Sequence, residues 1–266
     1  LRKSAEEIKL MRKAAEVSGR AHIRAMQACQ AGLFEYQLEA ELDYEFRGGG
    51  AKMPAYGSIV ASGANACILH YHENDAPLAD GNLVLIDAGC ELDCYASDIT
   101  RCFPVNGRFS PQQKAIYELV LKANLAAIQC VAPGRHFNEA HECSVRVITQ
   151  GLIDLGLLQG ELDELIENEA FRAFYMHRAG HWLGMDVHDV GDYKIGGNWR
   201  VLEPGMCLTV EPGIYIAPDN LDVPKEWRGI GVRIEDDVVV TETGCEVLTQ
   251  GAPKQVDEIE ALMAER

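Results

Sequence analysis

The sequence predicts a pseudo-symmetric α+β domain with a polar site between its two halves, and three observations carry that prediction. Helical periodicities and short apolar, strand-like runs follow one another in two successive sets along the 266 residues. Ala25-Met26-Gln27 through Gly32, Phe34 and Glu39 can be laid over Ala127-Ile128-Gln129 through Gly134, His136 and His141 at a constant offset of 102, each copy reading as helix, glycine break and second helix. Gly81, Asp87 and Gly89 share the pattern Gly-x5-acid-x-Gly with Gly205, Glu211 and Gly213, so each half places an acid at a strand end.

In chain order, Ile8, Met11, Ala15, Val17, Ile23 and Met26 recur at three- and four-residue spacing, which predicts an amphipathic helix over 4–30 that Gly32 ends. A second helix is expected over 35–47, stopped by Gly48-Gly49-Gly50. Strands are expected over 57–62 and 83–88. Pro111 sits at a helix start, and Ile116, Leu119, Val120 and Ile128 extend that helix to about Val131. Another helix covers 138–155. Residues 174–191 are rich in His, Gly and Trp without sustained helical period, and read as strand and loop. Pro204-Gly205 marks a turn into a strand over 206–211. A single strand is expected over 231–241, and a last helix over 256–264.

Bulk properties limit the function classes. A chain with 47 % hydrophobic and 24 % charged residues is ordinary for a globular enzyme, and 41 acidic against 24 basic residues give a formal charge of −17. Nucleic acid and anionic membrane surfaces would be repelled. Charges interrupt every apolar window well before a membrane span is reached, and no signal-peptide pattern opens the chain. The nine cysteines form no CxxC pair and are read as thiols of a reducing cytoplasm. Because Leu1 leads directly into a helical pattern, the chain is expected to be part of a longer polypeptide.

The run LVLIDAG closes a buried strand on Asp87, and Asp98 follows eleven residues later with no Lys or Arg between them. A buried carboxylate needs a cationic partner, which points to a metal ion. Glu211 in LTVEPG and Glu235 in VRIEDD sit at or inside apolar runs in the same way. A single strand-end acid is readily satisfied by backbone N–H groups; four strain that explanation. Three of the eight histidines, His177, His181 and His188, fall in MHRAGHWLGMDVHD. His177 and His181 have the spacing of a helical zinc pair, but Arg178 stands where such a helix carries Glu, and Gly180 and Gly184 disfavour a helix. Asp87, Asp98, Glu211 and Glu235 with neutral His181 would balance two divalent cations. Oxygen ligands with one imidazole suit Mn²⁺, and also Co²⁺ or Zn²⁺. Two such ions about 3.5–4 Å apart can activate a water between them, so a hydrolase is expected.

LIDAG, SDITR with Asp98, HWLG with His181, VEPG with Glu211 and GVRIEDD with Glu235 together resemble the dinuclear-metal M24 peptidases. The resemblance covers essentially the whole chain and is strongest to the Xaa-Pro aminopeptidase branch, with prolidase a near relative. It implies the pita-bread (creatinase/aminopeptidase) fold, a curved antiparallel sheet with helices on its outer face. It also implies hydrolysis of the N-terminal Xaa-Pro bond of peptides with proline at the second position, with a metal-bridging water as nucleophile. By the same resemblance Asp87 would chelate one ion, Asp98 and Glu235 would bridge both, and His181 and Glu211 would hold the other, with Glu211 also taking the water's proton. His70, in HYHEN, His177 and His188 match non-ligand active-site histidines, with His188 on the substrate carbonyl. Tyr215 and Arg233 match positions lining or bracing the substrate site.

Residues 1–266 would then form the C-terminal catalytic domain of a cytoplasmic enzyme. The family's N-terminal creatinase-like domain is absent from this chain, and homo-oligomers are expected of the full-length protein. The alternatives are an Xaa-Pro dipeptidase and a non-catalytic pita-bread binding module. The His70 motif and Arg233, two residues before Glu235, disfavour a methionine aminopeptidase. Gly180 stands where some relatives have Ser, a change expected to have little effect.

Overall fold

The computed structural model describes residues 1–265. The first half opens with α1 (Ala5–Ala28) and α2 (Glu35–Gly48), followed by β1 (Met53–Pro54), β2 (Ile59–Ser62), β3 (Leu83–Asp87), β4 (Cys90–Leu92), β5 (Tyr95–Ala96) and β6 (Thr100–Pro104). The second half begins with α3 (Pro111–Gln129), α4 (Glu139–Asp154) and the short α5 (Leu162–Glu167). It continues with β7 (Lys194–Ile195), β8 (Asn198–Trp199), β9 (Cys207–Val210), β10 (Gly213–Ile216), β11 (Ile230–Arg233), β12 (Asp236–Val240) and β13 (Cys245–Val247), and α6 (Val256–Ala264) closes it.

Local chemistry sets the helix ends. Ser4 caps α1 reciprocally with Glu7, its hydroxyl accepting from the Glu7 N–H while the Glu7 carboxylate accepts from the Ser4 N–H. Ser110 and Gln113 repeat the arrangement at α3, with Pro111 in the first turn. The chain leaves α1 through Gly32 at φ +91° and leaves α3 through Gly134 at φ +83°, a backbone region where a side chain would be strained.

The repeat predicted from sequence recurs in the hydrogen bonding. Gly32 N–H donates to Leu78 O and Leu78 N–H to Leu33 O; in the second half Gly134 N–H donates to Leu202 O and Leu202 N–H to Arg135 O. Each half carries one antiparallel sheet that bears the acids, ordered β2-β3-β6 and β13-β12-β9. Helices cover them: Ala14, Val17, Ala21, Leu38, Leu42 and Phe46 share a buried core with Val60, Val84 and Ile86. Ala127, Val131 and Phe137 pack in a second cluster with Trp182, Leu208, Val210 and Val238. At roughly 1.5–3 kcal/mol for each large apolar side chain buried, these layers dominate the stabilisation.

The expected strand over 231–241 is two strands. β11 pairs with β10, whereas β12 pairs with β9 and β13, so the chain must change sheets between them. Ile234 N–H donates to Pro212 O and Glu235 N–H to Thr100 O, and Glu235 occupies that crossing. Residues 174–191 hold no strand; Trp182 makes only an isolated bridge to Leu208. The expectation of nine thiols is also corrected. Cys130 at the end of α3 and Cys143 in α4 are joined by a disulfide, because the α3–α4 hairpin brings positions 13 residues apart face to face.

Candidate metal centre and substrate cavity

The strand ends of both halves meet at a cavity of about 520 Å³. β3 delivers Asp87, the crossing before β12 delivers Glu235, and Glu211 follows the last residue of β9. Asp98 lies in the connector between β5 and β6, two residues ahead of β6, rather than on the strand itself. The close approach depends on Gly89: a Cβ there would stand 1.8 Å from Ser97 O, so only glycine lets the segments bearing Asp87 and Asp98 run so near each other. Gly180 is under the same constraint. Its Cβ would lie 2.0 Å from Thr209 O, which corrects the expectation that serine there is nearly neutral: the neighbouring strand would have to move.

Asp98, His181 and Glu235 form the tightest group, each offering a ligand atom within 4.8 Å of the others. His181 Nδ1–H donates to Trp182 O at 3.0 Å, which fixes the ring so that Nε2 faces Asp98 Oδ2 at 3.3 Å and Glu211 Oε1 at 3.7 Å. Thr209 ties the pair together, accepting from the His181 N–H and donating to Glu211. Asp87 lies beyond this group and has protein partners of its own. Arg233 Nη2 donates to Asp87 Oδ2 at 2.6 Å, so the cation absent from the local sequence arrives from 146 residues away.

The electrostatics are those of too many acids for the cations present. Burial raises Asp87. Burial and the facing carboxylates of Asp98, Glu211 and Asp87 drive Glu235 well above the usual range, and burial pushes Glu211 up to about 7 despite His181 and Arg233. Burial also opposes ionisation of Asp98, but its bond to His181 wins and holds it low. His181 is drawn up to about 9, its burial outweighed by Asp98 and Glu211. A crowd of carboxylates beside one imidazole whose Nε2 faces them fits a hard or borderline divalent ion, which would take the place of the Nε2 proton and relieve the repulsion that now forces protonation.

The predicted non-ligand residues divide. His70 and His188 are exposed side chains lining the cavity, with the His188 ring edge-on to His181 at 4.4 Å between centroids. His177 also lines it, and burial holds it down at about 3. Arg233 lines the wall but is fully engaged. Tyr215 stands behind it, 2 % exposed and absent from the lining, accepting from Arg233 Nη1 and donating to His177 Nε2. Its place is therefore a brace rather than a substrate contact.

Sequence reasoning missed two residues. The Tyr56 hydroxyl lies 2.7 Å from Asp87 Oδ1 and 2.6 Å from Asp98 Oδ1. Thr100 accepts from Arg233 Nε and donates to Glu235 Oε2 at 2.6 Å. No local pattern marks Tyr56; SDITR contains Thr100, and only its contact with the second half reveals its task.

A pseudo-symmetric α+β domain whose two halves converge on buried carboxylates and a histidine defines a divalent-cation centre of the metallopeptidase type. The model of metallopeptidase family M24 matches residues 9–242, and the chain belongs to that family. It is 55 % identical over 261 residues to the Xaa-Pro aminopeptidase of Haemophilus influenzae and 54 % identical to that of Escherichia coli. These alignments cover 98 % of this chain and 60 % and 59 % of the two relatives. The structure of Pseudomonas aeruginosa aminopeptidase PepP superposes with a TM-score of 0.99 at 77 % identity, covering 100 % of this chain and 60 % of that one. Aminopeptidase P from E. coli with the inhibitor Pro-Leu superposes at 0.97 with 54 % identity, again over 100 % and 60 %. The fold is thus the pita-bread fold expected from the motifs, and the chain spans about 60 % of the length of these relatives.

Proposed function

We propose that this chain is the catalytic part of a dinuclear metal-dependent hydrolase that cleaves the N-terminal Xaa-Pro bond and releases the N-terminal amino acid, with water as nucleophile. The observation that carries the reading is the convergence of Asp98, His181 and Glu235 within 4.8 Å, with Asp87 and Glu211 on the same cavity. The proline preference draws support from the relatives, which carry the name Xaa-Pro aminopeptidase.

In this reading Asp87 would hold one ion, Asp98 and Glu235 would serve both, and His181 and Glu211 would hold the other. When bound, two divalent ions, Mn²⁺ in first place with Co²⁺ or Zn²⁺ as alternatives, balance the four carboxylates, acidify water and polarise the scissile carbonyl. Glu211, oriented by Thr209, takes the proton of the attacking water and returns it towards the leaving nitrogen. His188 reaches in from the rim and donates to the substrate carbonyl as its charge develops, a contribution of several kcal/mol in comparable sites. His70 and His177 complete the substrate walls, and Tyr215 with Arg233 fixes His177 and Asp87. An Xaa-Pro bond has no N–H after the scissile carbonyl, so the site must accept a ring and protonate a hindered nitrogen.

Residues 1–266 act here as the C-terminal catalytic domain of a longer, homo-oligomeric cytoplasmic protein whose substrates are peptides. Among the described residues no helix is long and apolar enough to cross a membrane. The test is hydrolysis of Xaa-Pro dipeptides against Xaa-Pro-Yaa tripeptides by the Mn²⁺-loaded full-length protein. Tripeptide cleavage is expected. Cleavage of dipeptides alone identifies a dipeptidase, and cleavage of neither supports a binding module instead.

A further inference from the structure

The repeat that aligns α1 with α3 also pairs two buried polar side chains that the reaction does not use. At the same offset of 102, His22 on α1 corresponds to Asn124 on α3. Both are 0 % exposed, on buried and largely apolar helix faces, where a polar group is costly unless it is bonded. Each is bonded to backbone beside the acids. Asn124 Nδ2 donates to Val210 O at 3.1 Å and to Ile234 O at 3.3 Å, the carbonyls immediately before Glu211 and Glu235. His22 Nε2–H donates to Ala88 O at 3.0 Å, the carbonyl immediately after Asp87. Its Nδ1 is buried without a hydrogen-bond partner among the described residues.

The amide orientation of Asn124 is fixed by chemistry. Its Oδ1 accepts from Lys254 Nζ at 2.9 Å, and an ammonium can only donate, so the NH₂ must face the two carbonyls. Lys254 in turn pairs with Asp236 at 2.6 Å. Arg101 shares that carboxylate and donates to Glu235 O. The acid-bearing segments of each half are also joined directly, by Ala88 N–H to Ile99 O and by Ile234 N–H to Pro212 O. Asn124 thus reaches both limbs of its half just where they carry their ligands, and His22 holds the Asp87 limb of the other half at Ala88, the residue whose N–H joins it to the Asp98 limb.

We propose that His22 and Asn124 are equivalent positioning residues, one per half, that set the separation of Asp87 from Asp98 and of Glu211 from Glu235 and so tune divalent-cation affinity. The proposal rests on the metal-dependent reading above. Neither residue lines the cavity. Their effect should appear in metal binding rather than in KM.

Asn124→Asp keeps the acceptor for Lys254 but turns an acceptor oxygen towards two carbonyls. In the full-length protein it is expected to weaken Mn²⁺ binding in calorimetric titration about tenfold or more, as displaced supports of metal ligands do. KM for an Xaa-Pro-Yaa tripeptide at saturating Mn²⁺ should stay within about twofold of wild type. His22→Leu carries the same test in the other half should Asn124→Asp not fold, and His22→Asn, which installs its counterpart's side chain, should bind Mn²⁺ more tightly than His22→Leu. Folded Asn124→Asp and His22→Leu proteins that bind Mn²⁺ as tightly as wild type overturn the proposal, including where their metal-free melting temperature falls, since that leaves a structural role only. A wild-type protein that binds no Mn²⁺ overturns the metal-dependent reading itself, and this proposal with it.

Discussion

Arg233 Nη2 stands 2.6 Å from Asp87 Oδ2, while Nε of the same guanidinium donates to Thr100, whose hydroxyl bonds Glu235. One buried cation therefore steadies an acid from each half. Removing it strands Asp87 without its charge partner, a situation that costs about 3–5 kcal/mol in buried pairs. Arg233→Ala should lower the urea midpoint of the metal-free protein accordingly. Arg233→Lys should recover little, because a single ammonium cannot serve Asp87, Thr100 and Tyr215 together. Midpoints equal to wild type would contradict this.

Tyr56 places one hydroxyl against two carboxylates, 2.7 Å from Asp87 and 2.6 Å from Asp98. Its proton can serve only one at a time, yet its loss would leave both acids facing each other without that donor. Tyr56→Phe is expected to cost about 2 kcal/mol of metal-free stability, the range for hydrogen bonds to charged groups. Because cations can replace the donor, the deficit should narrow when Mn²⁺ is added. A deficit unchanged by Mn²⁺ would show that the hydroxyl acts elsewhere.

Burial pulls His22 down from 6.5 to about 4, so at neutral pH the folded chain holds it uncharged. As pH falls, the unfolded chain takes up the proton first. The stability His22 contributes is complete above pH 6.5 and is lost between 6.5 and about 4, a total on the order of 3 kcal/mol. Urea midpoints across that window should fall more steeply for wild type than for His22→Asn. Parallel profiles would mean that His22 is not the group responsible.

Much of the site was legible because burying acids leaves a pattern in sequence. Asp87 and Glu211 end apolar runs, and the repeat around Gly32 and Gly134 is written in residues whose backbone hydrogen bonds recur. The break at Ile234-Glu235 was hidden because both strands it joins are buried throughout, Arg233, Asp236 and Asp237 included; only pairing to different partners separates them. Arg233 with Asp87 and Tyr56 with both acids are contacts over 146, 31 and 42 residues, and no local periodicity records such distances. Cys130 and Cys143 lie in no recognisable spacing, so their bond emerges only once α3 packs on α4. The requirement for glycine at 180 depends on the Thr209 carbonyl of a strand not yet placed.

The central claim is that these carboxylates work by holding divalent cations, and one measurement tests it most directly. The full-length protein, stripped of metal by chelation, is titrated with Mn²⁺ while bound ion and Xaa-Pro-Yaa turnover are followed together, for wild type and for Asp98→Ala and Glu235→Ala. Wild type should bind two ions and gain its turnover as they bind, whereas each variant should lose metal at both positions and lose turnover with it. Full turnover in the stripped protein, or a variant that keeps both its metal and its activity, would contradict the account.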